Sequence, residues 1–133
     1  MKSTLFFVFL VLIGAVSLFA HHGTGISYDQ DAWITVKGTV TEFAWKNPHS
    51  QLYLDIKDEK GETVNYAIEL NSPGVMTRYG WSRRTFKVGD MIEFQVHPSR
   101  VGAPVGEALC PCKVKINGVE LKSEEQPAQQ PQQ

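Results

Sequence analysis

Four histidines are available for chemistry in this chain, His21, His22, His49 and His97, and the first two follow directly on an apolar run ending in Ala20. Imidazole suits copper, zinc and nickel, and divalent copper accepts a square-planar set of nitrogens. If a signal peptidase cuts after Ala20, His21 becomes a free N-terminus whose α-amine and Nδ1 can chelate one ion. A second histidine would then complete a T-shaped nitrogen site. His49 is the leading candidate, because Pro48 stiffens its turn, and His97 at a strand end is the reserve. His22 could instead bind through the amine and a deprotonated amide. The plain alternative is an arbitrary terminus and a solvated or capping turn histidine. No His-Glu-x-x-His spacing of a zinc enzyme is present.

Cys110 and Cys112 are the two cysteines, spaced C-x-C around Pro111. Residues i and i+2 of an extended strand lie at or beyond the usual Cα separation for a disulfide, so a bridge needs a bend that Pro111 could help supply. The other readings are two small buried hydrophobes, a soft ligand pair for monovalent copper or zinc that His97 could join, or a redox pair. A thioredoxin-like motif is not supported by the spacing or by any βαβ pattern. Trp45, Asn47 and Trp81 form a third set: aromatics framing a barrel mouth could stack on a sugar or small planar ligand. The competing reading makes both tryptophans core closures and gives Asn47 an Asx-turn.

The carboxylates do not predict catalysis. Asp55, Glu69 and Glu93 fall on strand faces opposite the apolar residues, and no spacing pairs two of them for acid–base work. Gly-x-Ser-x-Gly, phosphate-loop and dinucleotide fingerprints are absent from the sequence. The chain therefore reads as a binding protein rather than an enzyme. A redox-active copper enzyme is the least supported reading, since no substrate-orienting set is visible.

The chain that must position these groups has a leader, one domain and a tail. Residues 1–20 read as a secretory signal, with Lys2 as its positive region, Leu5–Val16 as its apolar region and Ala20 at the cut. Leu18 is a poor residue for the position three before the cut, so an uncleaved anchor is the alternative. A periplasmic or secreted location follows, with no stable membrane insertion once the leader is gone. Losing Lys2 takes the formal charge from −1 to −2. A mildly acidic surface argues against nucleic acid as a partner, leaving a metal ion, a small molecule or a periplasmic protein. Residues 21–122 form one domain, and 123–133 (SEEQPAQQPQQ) read as a disordered Gln/Pro-rich tail. The oligomeric state has no signature in the sequence.

Within the domain, 33–45 reads as a long strand with Ile34, Val36 and Val40 inward and a bulge or bend at Gly38. Residues 51–57 and 63–70 alternate cleanly as a hairpin around the turn at 58–61. Ser72-Pro73 reads as an N-cap and first helical residue, with the helix running to about Arg78 and Gly80 ending it. Residues 91–97 form the next strand, 98–108 a Gly/Pro-rich loop, and 109–116 a further strand. Asn117-Gly118 signals a hairpin to 119–122. Three strands, a short helix and two or three more strands predict an all-β fold with small α content. The expected architecture is a five- to six-stranded OB-like barrel, the helix lying between strands 3 and 4. A small sandwich or open meander is the alternative.

The segments His21-His22, Tyr28-Asp29, Lys37-Gly38-Thr39-Val40, Trp45-Lys46-Asn47-Pro48-His49, Gly80-Trp81-Ser82-Arg83 and Gly89-Asp90 occur in this order. In this the chain resembles a family of small secreted bacterial proteins known as a domain of unknown function. The resemblance spans nearly all of 21–120 and implies a secreted location and a barrel-like β fold. It implies no activity. Cys110-Pro111-Cys112 departs from the family's pattern, so any role for that pair belongs to this chain.

Overall fold

Alternating apolar residues build the first three strands of the computed structural model, which describes residues 26–121 and 123–125. The expected leader, His21, His22 and the expected tail from residue 126 lie outside the described residues. Strands β1 (Ile34–Ala44), β2 (Gln51–Lys57) and β3 (Thr63–Glu69) form an antiparallel meander. The Asp58 carboxylate accepts from the backbone N–H groups of Lys60 and Glu62 at 2.9 and 2.8 Å, closing the β2–β3 turn. The helix α1 (Pro73–Arg78) starts at Ser72, whose hydroxyl accepts from Val75 N, and ends before Gly80 at φ 81°. Its Met76 is fully buried. Strands β4 (Met91–Pro98), β5 (Val105–Glu107), β6 (Val114–Ile116) and β7 (Val119–Leu121) complete the fold.

The strand order is β1-β2-β3-β5-β4, and β4 pairs back onto β1, so five strands close into the expected barrel with the helix between β3 and β4. The fifth strand differs from the sequence expectation. Residues 98–108 are not one loop: Val105–Glu107 pairs parallel to β3 and antiparallel to β4 and closes the cylinder. Residues 109–116 are not one strand either; the chain bends through the cysteines, and pairing starts at Val114. The β6–β7 hairpin then extends the sheet from β4 around Asn117 (φ 50°) and Gly118 (φ 83°).

Gly38 sits where β1 passes from one partner to the other, opposite both Ile56 of β2 and Ile92 of β4. A Cβ there would lie 2.5 Å from the Asp55 carbonyl oxygen and 2.8 Å from Ile56 Cγ2. The register irregularity expected at Gly38 falls between Val40 and Glu42 instead. The core is filled by Val36, Val40, Leu52, Leu54, Ile68, Ile92, Phe94, Val96 and Val114, while Ile34, read as inward, is exposed. Trp81 and Phe86 close one region of it, with ring centroids 5.4 Å apart and near edge-to-face, and Phe43 packs on Phe86 at 5.0 Å. Among the described residues no helix is long and apolar enough to cross a membrane.

Candidate functional site

The strand register lines up polar residues on the outside of the barrel wall. Gln51 of β2 is opposite Glu69 of β3, Glu69 is opposite Glu107 of β5, and Glu107 is opposite His97 of β4. Their neighbours Leu52, Ile68, Gly106 and Val96 are buried, so by strand alternation this row faces away from the core. It is nevertheless only partly open to solvent, with Glu107 buried, because residues 26–33 lie across it as a strap. Tyr28 donates its hydroxyl to Glu69 Oε2 at 2.7 Å, and Gln30 Nε2 donates to Glu107 Oε2 at 2.8 Å. His97 Nδ1 donates to the Ala32 carbonyl at 2.9 Å, and Trp33 stacks on the His97 ring at 3.7 Å. Backbone bonds from Asp29 N to Pro98 O and from Arg100 N to Ser27 O fasten the strap to the end of β4.

His49 reaches the same row from the β1–β2 turn. Its Nδ1 pairs with Glu69 Oε1, the second oxygen of the carboxylate that holds Tyr28. A carboxylate accepts and does not donate, so Nδ1 is the donor and Nε2 lies outside this contact. The His49 side chain is 41% exposed. A histidine whose other ring nitrogen is fixed by a carboxylate is the arrangement that orients metal ligands.

The strap leaves one group unmet. Glu107 is 1% exposed, and its Oε1 has no hydrogen-bond partner among the described residues. Tyr28 therefore lies beside two carboxylates. Burial, the bond to Glu69, and then the charges of Glu69 and Glu107 push its phenol well above the ordinary tyrosine range. Burial also pushes Tyr66 up. Folded Tyr28 keeps its proton where the unfolded chain releases it, so the unfolded state binds fewer protons above about pH 10 and stability falls as pH rises through that range. Denaturant midpoints measured from neutral to alkaline pH are expected to show this slope in the wild type and a shallower one in Tyr28→Phe. Equal slopes would mean that the strap is not seated on Glu69.

The other residues picked out by sequence fall as follows. His97 lies near the end of β4, with its Nδ1 occupied by the Ala32 carbonyl. Among the described residues no three His, Cys, Asp or Glu side chains converge to hold a metal ion, so His97 does not join the cysteines. Trp81 is 2% exposed within the core and offers no face to a ligand. Trp45 is half-buried against Phe43, and Asn47 is exposed. Asp55 is on the outside, accepting from Asn65 Nδ2 at 3.1 Å. Sequence reasoning missed the Glu69–Glu107 pair and the strap. Tyr28, an aromatic among the mostly polar residues before β1, was the signal that this segment packs on something.

Residues 10–108 match the model of a protein family described as a family of unknown function, DUF6152. The matched span ends before Cys110. No curated protein and no solved structure matches the chain.

Proposed function

The chain belongs to DUF6152, a family of unknown function, and from that premise we propose that it is a secreted or periplasmic binding protein that takes copper(II) through His21, His22 and His49. One observation carries the reading: Glu69 grips both His49 and Tyr28. The carboxylate that orients the His49 ring thus also anchors the strap leading back towards the N-terminus. From Tyr28 to His21 is seven residues, at most roughly 25 Å of extended chain, so a terminus at His21 is tethered within range of His49. The amine and Nδ1 of His21 with His49 Nε2 would supply the nitrogen set that divalent copper prefers. The role is binding rather than catalysis, because the Glu69–Glu107 pair is covered and already engaged by the strap.

The test starts from protein secreted by its host. Its intact mass should correspond to His21–Gln133, and one copper should bind more tightly than about micromolar, the level that scattered exposed histidines give. His49→Ala is expected to weaken binding about 10- to 100-fold, and Glu69→Gln by a smaller factor through loss of His49 orientation. A preparation retaining one extra residue before His21 should lose the site. Copper affinity indifferent to both His49 and the extra residue would refute the assignment.

A further inference from the structure

The two cysteines lie outside the copper ligand set proposed above, and the fold brings them together as a pair. Residues 109–113 bend between β5 and β6, and the Cys110 and Cys112 sulfurs lie 3.7 Å apart, in van der Waals contact. Both ends of the bend are pinned. Ala108 N donates to Glu69 O at 2.9 Å on entry, and Gln95 N donates to Lys113 O at 3.2 Å on exit. Between them, Cys110 N donates to the Asn71 side-chain oxygen at 2.6 Å. Joining the sulfurs therefore needs side-chain rotation and a small adjustment of the bend, not refolding.

The pair is also unequal. Cys110 is half-buried, whereas Cys112 is 9% exposed. The Cys112 thiol donating to Cys110 lowers Cys110, and the same bond together with burial raises Cys112. The accessible sulfur is thus the better thiolate, and the enclosed one keeps its proton until needed. No third metal-binding side chain joins them among the described residues.

We propose that Cys110-Pro111-Cys112 is a thiol–disulfide exchange centre whose substrate is a disulfide of a small thiol or of an accessible protein segment. The Cys110 thiolate attacks one sulfur of the substrate disulfide. That bond breaks, a mixed disulfide forms, and the departing sulfur takes a proton from solvent. Cys112 then releases its proton and attacks Cys110 Sγ. The intramolecular bond forms as the mixed disulfide breaks, and the second substrate sulfur leaves as a thiolate that takes up the proton Cys112 released. The substrate gains two electrons and becomes two thiols, and the cysteine pair loses two electrons and becomes a disulfide. Run backwards, the same steps deliver a disulfide to a substrate dithiol.

Glutathione disulfide is the probe, with the full chain held metal-free by chelator so that the outcome is independent of copper. The wild type is expected to become an intramolecular disulfide, two hydrogen masses lighter, and to return to the dithiol with reduced glutathione. Cys112→Ser should stop at a stable glutathione adduct on Cys110. Cys110→Ser should react at least about tenfold more slowly, since its remaining thiol is enclosed and protonated. Circular dichroism checks that both variants are folded. A wild type that stays reduced would overturn the proposal. So would a bridge that reduced glutathione cannot open, or folded Ser variants that react equally fast.

Discussion

Trp81→Ala is expected to lower the unfolding free energy by about 3–5 kcal/mol, the range for deleting a buried large aromatic. Trp81 is enclosed and contacts Phe86 and Phe94 at 5.4 and 6.2 Å, so its removal opens a cavity between rings that cannot collapse without shifting strands. A small domain has about 5–15 kcal/mol to lose, and each kcal/mol is worth roughly 4–8 °C in a domain of this size. Thermal unfolding should therefore drop by at least about 12 °C. Trp81→Phe is expected to be much milder. It keeps an aromatic in place and removes an indole N–H that is buried with no hydrogen-bond partner among the described residues, an omission that itself costs about 1–3 kcal/mol. A Trp81→Ala protein of wild-type stability would mean that Trp81 does not fill the barrel.

Gly38→Val tests closure from the opposite side. The obstacle a Cβ meets at 2.5 Å is the Asp55 carbonyl oxygen, backbone inside the β1–β2 ladder. Overpacking against flexible side chains costs about 1–3 kcal/mol; here a strand must move, and valine adds two methyls beside Ile56 Cγ2. We expect a loss of at least about 3 kcal/mol, read from denaturant midpoints. The loss should exceed that of Gly74→Val in α1, where a Cβ meets nothing within 4 Å. Similar losses at the two glycines would remove the closing role assigned to Gly38.

Much of this fold was legible because alternation and capping are local signals. Leu52, Leu54, Ile68, Ile92 and Phe94 announced their inward faces, and Ser72-Pro73 with Gly80 announced the helix. The closing strand was not legible. Val105-Gly106-Glu107 is three residues with a glycine at its centre, set in a Gly/Pro-rich stretch, and its parallel pairing with β3 follows no turn that a sequence could advertise. Overlooking β5 also meant overlooking the candidate site. Glu69 and Glu107 become neighbours through the β3–β5 register alone, and the pairing of His49 with Glu69, 20 residues on, depends on where a turn delivers its side chain. The cysteines misled in the other direction. Their alternation with Val114 imitated a strand, while the chain there bends and brings the sulfurs together.

The same late three-residue strand sets an order of events on a chain made from its N-terminus. Until residues 105–107 emerge, β3 and β4 each present an open edge, and the meander before them is an unclosed, sticky sheet. An unpaired edge recruits other strands, and a contact that depends on distant segments forms slowly. A fragment ending before Val105 would hold most of the apolar residues and none of the seal. Closure of the barrel, and with it the meeting of Glu69 and Glu107, is thus a checkpoint that only a chain made past residue 107 can pass.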